Sequence, residues 1–280
     1  MEKQPSIETS NFWRIPSLGN MELLHANYVK QTFPRHTHEQ FAIGVIESGA
    51  LGFYYRGENV IAPQGQINLC IPGEVHTGQP ATDGGWSYRM FYFEPQLLQR
   101  VASEVAGKPH DIPFFRTGVI DDPILAKQIL QLHVLMEQQD VPLLEQESVL
   151  LWTLGQLVMR HADDSLVLRT LRKEKTAVFR AQQYIQTHYT QNFSIEDLAL
   201  AVYLSPYHTI RVFREEIGMP PHAYLRQIRI TKAKELLVQG LSLADVAQSA
   251  GFTDQSHLNR WFKRLWGITP GQYRNSVQYK

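Results

Sequence analysis

The chain has 280 residues, with 27 acidic and 27 basic side chains and a single cysteine, Cys70. This length leaves room for two domains that each bury a core of their own, and one cysteine excludes a framework of internal disulfides, which fits a reducing compartment. The first ten residues, MEKQPSIETS, lack the apolar core of a signal peptide. The longest apolar-rich run without charge, 148–159, is too short to cross a bilayer. We therefore expect a soluble, cytoplasmic protein.

The balanced total charge conceals a difference between the two parts of the chain. Residues 171–280 contain 15 Lys and Arg against 8 Asp and Glu, whereas residues 1–170 contain 12 against 19. A basic C-terminal part is what a nucleic-acid partner requires. Taken alone, it fits an ordinary basic domain equally well.

Residues 33–93 are patterned as β-strands. Runs rich in β-branched and aromatic residues, such as FAIGVIESGALGFYYRGENVIAP, are separated by glycine turns. Several short strands with regular turns predict a small antiparallel barrel or sandwich. Residues 1–30 are only loosely patterned.

From Asp121 the apolar period becomes helical. Asp122 and Pro123 are typical of a helix start, and Pro142 separates this helix from a second one over 143–161. Such a pair can cover the barrel. The charged stretch DDSLVLRTLRKEK that follows has no clear period, which places a linker at about 166–177 between domains at 1–165 and 178–280.

One sequence pattern occurs twice between Ser194 and Arg274. The copies read SIEDLALAVYLSPYHTIRVFREEIGMPPHAYL and SLADVAQSAGFTDQSHLNRWFKRLWGITPGQYR. Each begins with a serine followed three residues later by an aspartate, a cap for a short helix, and each second helix ends at a glycine, Gly218 or Gly267. Two short helices joined by a tight turn form the helix-turn-helix unit that enters the major groove. A helix over about 221–239 joins the two units, and recognition helices about 34 Å apart fit successive turns of one DNA face.

The stretch from about 178 to 274 resembles the DNA-binding domain of AraC/XylS-type transcription regulators, and its second copy resembles that family's C-terminal signature almost position for position. Residues 33–93 look like the cupin-like sensing domain of the same family. The resemblance implies an α+β protein of two domains: a cupin-like antiparallel β-barrel with flanking helices at about 122–161, then an all-α domain with two helix-turn-helix units. It also implies a sequence-specific DNA-binding regulator under the control of a small-molecule effector, without enzymatic activity or a cofactor. The implied partners are double-stranded DNA, the effector, RNA polymerase for an activator, and a second subunit paired through the helices at 122–161.

Helical spacing divides each second helix into an inward and an outward face. The inward side chains are expected to be Thr209, Phe213 and Ile217 in the first copy and Leu258, Phe262 and Leu265 in the second. The outward candidates for DNA contact are Tyr207, His208, Ile210, Arg211, Arg214, Gln255, Ser256, His257, Asn259, Arg260 and Lys263. Gln and Asn pair bidentately with adenine and Arg with guanine, at about 1–3 kcal/mol of discrimination each. The alternative for each is a solvated helix face, and Trp261 and Trp266 are expected to pack.

The first copy departs from the family at two positions. Thr209 stands where leucine is usual, and Ile210 stands where a polar residue is usual. An outward isoleucine would meet a thymine methyl group, or it would be buried against protein. Arg211 is therefore the firmer candidate in this copy.

Aromatic residues and histidines of the β-rich part are candidates for an effector pocket. They are Arg35, His36, His38, Tyr54, Arg56, His76, Trp86, Tyr88 and Tyr92. Strand alternation places Tyr88, Met90 and Tyr92 on one face, and it leaves open whether that face is inward. An arginine in the pocket would favour an acidic effector. The alternative for each residue is a core braced by aromatic side chains.

His36, His38 and the PGEVH segment at 72–76 resemble the two cupin motifs, which in metal-binding members supply three histidines and a glutamate. Here Ala42 and Ile43 stand where the glutamate is expected, and Glu39 alternates to the face opposite His38. We therefore expect no metal, with a three-histidine zinc site at His36, His38 and His76 as the alternative. The corresponding alternative functions are a cupin-type metalloprotein or enzyme with an appended helical domain, and a DNA-architectural protein without a ligand.

Overall fold

The computed structural model describes residues 8–138, 140–163, 174–266 and 268–278. The chain divides into two compact units. The first unit comprises Met1–Glu137 with Val149–Arg169, and the second comprises Gln138–Ser148 with Thr170–Lys280. The first is rich in β-sheet and the second is helical, as predicted.

Antiparallel strands form the body of the first unit. They are β1 (Thr9–Ile15), β2 (Met21–Tyr28), β3 (Phe33–His36), β4 (Phe41–Tyr55), β5 (Glu58–Pro63), β6 (Ile67–Cys70), β7 (His76–Pro80), β8 (Trp86–Phe93) and β9 (Val119–Ile120). The strands therefore extend beyond the expected 33–93 on both sides. β1 and β2 lie in the stretch that is loosely patterned in sequence, where β2 pairs with β8 and β1 pairs with β2.

The long strand β4 connects the two parts of this sheet system. Its first half pairs with β6 and β8, and its second half pairs with β5 and β7. The pairing partners change at a bulge between Ile46 and Ser48, next to the left-handed glycine Gly49 with φ +69°. The apolar core between the two halves draws side chains from both, including Ile46 and Phe53 of β4 and Trp86 of β8.

The side chains of β8 are buried on both faces. Trp86, Tyr88 and Met90 belong to the core between the sheets, whereas Arg89 and Phe91 contact His133 on the opposite face. The sequence leaves open which face of β8 points inward, and the structure shows that it is the face of Tyr88 and Met90. Tyr88 and Met90 point into the interior.

Helices α1 (Pro95–Ala106), α2 (Pro123–Met136) and α3 (Leu143–His161) follow. The start of α2 is as predicted, because the Asp122 carboxylate accepts a hydrogen bond of 3.0 Å from the Leu125 N–H and caps the helix. α3 has the predicted bounds, and its first turns, up to Ser148, belong to the second unit. α1 was not predicted, although it buries four apolar residues at helical spacing: Leu98, Val101, Ala102 and Val105.

The second unit contains the two expected helix-turn-helix pairs. Its helices are α4 (Lys175–Thr187), α5 (Ile195–Val202), α6 (Pro206–Ile217), α7 (Pro221–Val238), α8 (Leu243–Ser249), α9 (Gln255–Trp266) and α10 (Pro270–Gln278). The pairs are α5–α6 and α8–α9, and α7 joins them. Residues 166–173 of the predicted linker at 166–177 lie outside the described residues, and α4 already begins at Lys175.

Local chemistry explains the helix boundaries of the second unit. At α5, the Asp197 N–H donates to the Ser194 hydroxyl at 3.0 Å and the Ser194 N–H donates to the Asp197 carboxylate at 2.8 Å. At α8 the Ser242 hydroxyl accepts a hydrogen bond of 3.2 Å from the Asp245 N–H. Gly218, with φ +81°, ends α6 as expected, while the expected stop at Gly267 lies outside the described residues. Among the described helices, none combines the length and apolar character that a membrane span needs.

Candidate ligand cavity and nucleic-acid interface

A cavity of about 130 Å³ lies within the strands of the first unit. Six of the nine side chains predicted to bind an effector line it: His36, His38, His76, Trp86, Tyr88 and Tyr92. They come from β3, β7, β8 and the segment after β3, so residues distant in sequence meet at one place. The cavity is also lined by Tyr28 and Asn68, which the sequence analysis missed.

The other three predicted effector-binding residues, Arg35, Tyr54 and Arg56, do not line this cavity. Arg35 follows strand alternation away from His36 and stacks on the Tyr54 ring, 4.5 Å from its centroid. Arg56 lies in the turn after β4, where it stacks on Phe114 and pairs with Glu74 at 3.5 Å. The expectation of an acidic effector loses its basis, because it depended on an arginine in the pocket.

Three histidines cluster at one side of the cavity. The ring centroids are 4.3 Å apart for His36 and His76, 4.8 Å for His38 and His76, and 6.3 Å for His36 and His38. His36 is exposed, His38 is half-buried and His76 is buried. The cluster therefore runs from the mouth of the cavity into its interior.

Each of these rings is held by a backbone carbonyl. The Nδ1 atoms of His36, His38 and His76 lie 2.8, 2.6 and 2.9 Å from the carbonyl oxygens of Pro34, Gln40 and Glu74. A carbonyl can only accept, so each Nδ1 carries the hydrogen and the neutral ring has its lone pair on Nε2. Burial, with a smaller contribution from the neighbouring histidines, lowers the pKa of His76 to about 4. Burial also lowers the pKa of His38.

A metal centre is not preformed in this cluster. Among the described residues, no three or more His, Cys, Asp and Glu side chains are arranged to hold a metal ion. Ala42 lines the cavity where a fourth ligand would be needed, and Glu39 is exposed. The three-histidine zinc site therefore has no support from the geometry.

Aromatic side chains form another side of the cavity. Tyr28 contacts Phe33, Trp86 and Tyr88 with ring centroids 5.7, 5.3 and 6.0 Å apart. Burial raises the pKa of both Tyr88 and Tyr92. These phenols are uncharged at neutral pH and present apolar rings with polar tips.

The second helix-turn-helix unit presents a polar face on α9. Gln255, Ser256, Arg260 and Lys263 are exposed, as predicted, and Asn259 is half-buried. Leu258 and Phe262 on the opposite face belong to the core that α7, α8 and α9 share. The helix is thus fixed from behind by apolar contacts while its polar side chains remain accessible.

Two orientations predicted for α9 are wrong. His257 is buried rather than outward, because its ring packs edge-on against the Phe252 ring, with the centroids 5.4 Å apart. Leu265 was expected inward and is 52% exposed, since the last turn of α9 extends past the shared core. Trp261 is half-buried and packs against the shared core, with the Arg226 guanidinium 3.4 Å from its ring centroid. Trp266, which was also expected to pack, is 50% exposed, with the Lys234 ammonium 3.5 Å from its ring centroid.

The first helix-turn-helix unit differs more from its prediction. Tyr207, His208 and Ile210 are buried, so the expectation that they face outward is wrong. The reason is that α6 contacts α4, α5 and α7, which leaves a narrow accessible face. Arg214 lies on that face with Glu215 and Glu216, and Arg211 is half-buried. Thr209 and Phe213 are buried, as predicted.

Comparison with known proteins agrees with both units. Residues 18–152 match the AraC-like ligand binding domain and residues 198–276 match a helix-turn-helix domain. The HTH-type transcriptional regulator YbfI of Bacillus subtilis is 31% identical over 82% of this chain and 82% of its own length. The arabinose operon regulatory protein of Escherichia coli is 26% identical over 82% of this chain and 81% of its own.

A solved structure also resembles the C-terminal part. The C-terminal domain of AraT, a response regulator from Geobacillus stearothermophilus, is 34% identical and covers 36% of this chain and 84% of its own, with a TM-score of 0.35. The family of this protein follows from the two domain matches and from the similarity to YbfI over 82% of both chains. The chain belongs to the AraC family of DNA-binding transcription regulators with an N-terminal ligand-binding domain.

Proposed function

We propose that α9 reads the bases of the operator and that the cavity of the first unit holds the effector. The observation that carries the first part is the exposed row of Gln255, Ser256, Arg260 and Lys263, backed by a buried apolar face. These side chain types donate and accept at base edges in the major groove. Arg211 and Arg214 of α6 add a second, smaller contact, weakened by the neighbouring Glu215 and Glu216.

The effector part of the proposal depends on the cavity among β3, β4, β7 and β8. The cavity is enclosed by aromatic rings and contains a few oriented polar groups, which is the usual composition of a small-molecule site. An effector controls DNA binding only by having different affinities for two states of the protein. The expected result is an operator affinity that changes when the cavity is filled.

The interface is tested by titrating the protein with a fragment of its own upstream DNA at several salt concentrations. Affinity should fall steeply as salt rises, because phosphate contacts release counterions. Arg260→Ala should relax the preference at a single base pair by about 1–3 kcal/mol. The matched control is Arg264→Ala, an exposed arginine of the same helix that was not predicted to contact bases and whose loss should not change sequence preference. Equal effects of the two substitutions on preference would contradict the assignment.

The remaining partners follow from the family resemblance. We propose a homodimer paired through α2 and α3, where Ile124 and Val134 are exposed apolar side chains on one face of α2. Sedimentation of the full chain should show a dimer, and the double substitution Ile124→Lys with Val134→Lys should weaken that dimer.

We further propose that the protein is cytoplasmic and has no catalytic role. Where it activates transcription, it would do so through contact with RNA polymerase.

A further inference from the structure

Arg229 of α7 is a buried arginine that is held by backbone carbonyls. The residue is 5% exposed, and burial, with a smaller contribution from Arg226, lowers its pKa to about 10, so the guanidinium keeps its charge at neutral pH. Its Nε donates a hydrogen bond of 2.6 Å to the Tyr189 carbonyl, and its Nη2 donates one of 2.8 Å to the Gln191 carbonyl. Within the described residues, no carboxylate is paired with it. Charged side chains are seldom buried without such a partner, so the two carbonyl contacts need an explanation beyond packing.

The two carbonyls belong to the loop that connects α4 to α5 and so leads into the first helix-turn-helix pair, α5–α6. Contacts within the loop fix its conformation. The His188 ring stacks on Tyr184 with centroids 4.2 Å apart, and the Phe193 ring packs edge-on against Tyr184. The Gln191 N–H donates to the His188 carbonyl at 2.9 Å. Arg229 therefore holds a well-defined part of the first pair.

The second helix-turn-helix pair, α8–α9, contacts the same loop through its turn. Gly251, with φ +80°, lies in this turn, and a Cβ atom there would lie 2.7 Å from the Tyr189 carbonyl oxygen and 3.0 Å from Arg229 Nε. The backbone of the turn thus lies against the hydrogen bond between Arg229 and Tyr189. Phe252 and His257, from the turn and the first turn of α9, line one small void together with Arg229. The loop, α7 and the turn of the second pair therefore meet at one junction.

This junction gives the two pairs a second connection. Along the chain they are joined by α7, and the residues at the two ends of a connecting helix can act as hinges. A second point of contact beside the helix restricts rotation about those ends. Recognition helices that enter successive turns of the major groove must lie about 34 Å apart. The relative orientation of the pairs therefore decides which spacing of DNA contacts the protein accepts.

We propose that Arg229 is a positioning residue for DNA recognition, which fixes the orientation of α9 relative to α6 and thereby the one spacing at which both helices contact the operator. Because it is buried, Arg229 acts through these helices and does not touch DNA itself. This inference rests on the proposed function, in which α9 reads bases and α6 makes a second contact. One base pair inserted between the two contacts moves them about 3.4 Å apart and turns them by about 35° around the duplex. Two pairs held at the junction do not follow that change.

The test selects binding sites for the full wild-type chain from random duplexes about four helical turns long. Wild type should enrich two segments at a single spacing. Its affinity for the enriched site should fall at least about tenfold when one base pair is inserted between the segments. Arg229→Met should reduce this loss to less than about threefold, because the pairs then rotate to follow the inserted base pair. The ratio of the two affinities cancels any general weakening of DNA binding.

Two further variants separate positioning from loss of stability. Leu236 lies about two turns beyond Arg229 on α7 and packs against the core of the second pair. Leu236→Ala should therefore lower the melting temperature and keep the wild-type ratio of affinities. Arg229→Lys keeps the charge but replaces a planar set of donors by one flexible ammonium, and should give an intermediate ratio. It carries the test if Arg229→Met does not fold, and circular dichroism shows which variants are folded at the temperature of measurement.

The outcomes distinguish this inference from the proposed function. If wild type discriminates between the spacings and both Arg229 variants discriminate equally well, Arg229 does not position the helices, while the two contacts proposed for α6 and α9 stand. If wild type enriches no site, enriches a single segment or tolerates the inserted base pair, joint contact by α6 and α9 falls together with the inference. A ratio in Leu236→Ala as low as in Arg229→Met would show that any loss of stability relaxes the spacing, which also overturns the assignment.

Discussion

The guanidinium of Arg226 lies 3.4 Å above the Trp261 ring and is paired with the carboxylate of Glu145. Arg226 belongs to α7, the helix that joins the two helix-turn-helix pairs, and Trp261 belongs to α9, which carries the proposed base contacts. Glu145 lies in the first turn of α3, within the second unit. The buried ion pair therefore fixes an arginine against the back of the proposed recognition helix.

Removing Arg226 should destabilise the second unit strongly. Arg226→Met leaves the buried Glu145 carboxylate without its partner, and breaking a buried pair on one side costs about 3–5 kcal/mol. Urea unfolding followed by far-ultraviolet circular dichroism, which reports the helices of the second unit, measures the loss. The control is Arg264→Met, which removes an exposed arginine 4.9 Å from the same ring and should cost less than about 1 kcal/mol. The double variant Arg226→Met with Glu145→Gln should recover part of the stability, and no recovery would show that Glu145 is solvated.

Ile210 should act through stability and not through DNA contact. Its side chain is 1% exposed on α6, so Ile210→Ala leaves a cavity and should cost about 2–4 kcal/mol in the free energy of unfolding. The sequence preference for DNA should stay unchanged at a temperature where the variant is folded. Arg214→Ala is the control with the opposite expected outcome. Arg214 is an exposed residue of the same helix, so its loss should weaken DNA binding with little loss of stability. A changed base preference in folded Ile210→Ala would restore the prediction from the sequence.

Helix boundaries in the second unit could be predicted because they depend on local chemistry. Ser194 and Asp197 cap α5 within four residues, Pro206 fixes the first turn of α6, and Gly218 supplies the left-handed stop. The burial of Tyr207 through Ile210 could not be predicted in this way. Helical spacing gives one buried face, whereas four consecutive buried residues require neighbours on several sides, here α4, α5 and α7.

The cavity residues could likewise be predicted only where local sequence patterns determine their position, and not where strand pairing between distant parts of the chain does. Strand alternation separates His36 from Arg35 correctly once β3 is known, but the sequence does not say which parity faces inward. Tyr28 could not be assigned because β2 pairs with β8, more than fifty residues later. Asn68 carried a usable signal, a polar residue inside the apolar run INLC, which is typical of a functional position in a buried strand.

The turn in β4 requires a glycine at position 49. Gly49 has φ +69°, and a Cβ there would lie 2.0 Å from the Gly85 carbonyl oxygen, a backbone atom that cannot move away cheaply. Gly49→Ala should therefore lower the free energy of unfolding of the first unit by more than about 3 kcal/mol. Gly57→Ala, at φ +93° with open space around it, isolates the backbone contribution and should cost about 1 kcal/mol. Similar losses, measured by thermal unfolding, would show that the sheet accommodates the methyl group at position 49.

His133 should make the first unit sensitive to acid. The ring is fully buried, accepts a hydrogen bond of 3.2 Å from Arg89 at Nδ1, and touches Trp13 and Phe91 edge-on. Burial first, and then the positive charge of Arg89, lower its pKa to about 3. The unfolded chain takes up this proton near pH 6.5 and the folded chain near pH 3, so stability is complete above pH 6.5 and falls steadily as the pH drops towards 3.

Replacing the ring with one that cannot be protonated tests this assignment. His133→Phe should flatten the decline in melting temperature between neutral pH and about pH 4, because neither state then takes up a proton at this position. The comparison uses the difference between variant and wild type at each pH, which removes the cost of losing the Arg89 contact and cancels the other buried histidines. A parallel decline in wild type and His133→Phe would mean that the proton is taken up elsewhere, with His76 as the next residue to replace, because burial lowers its pKa to about 4.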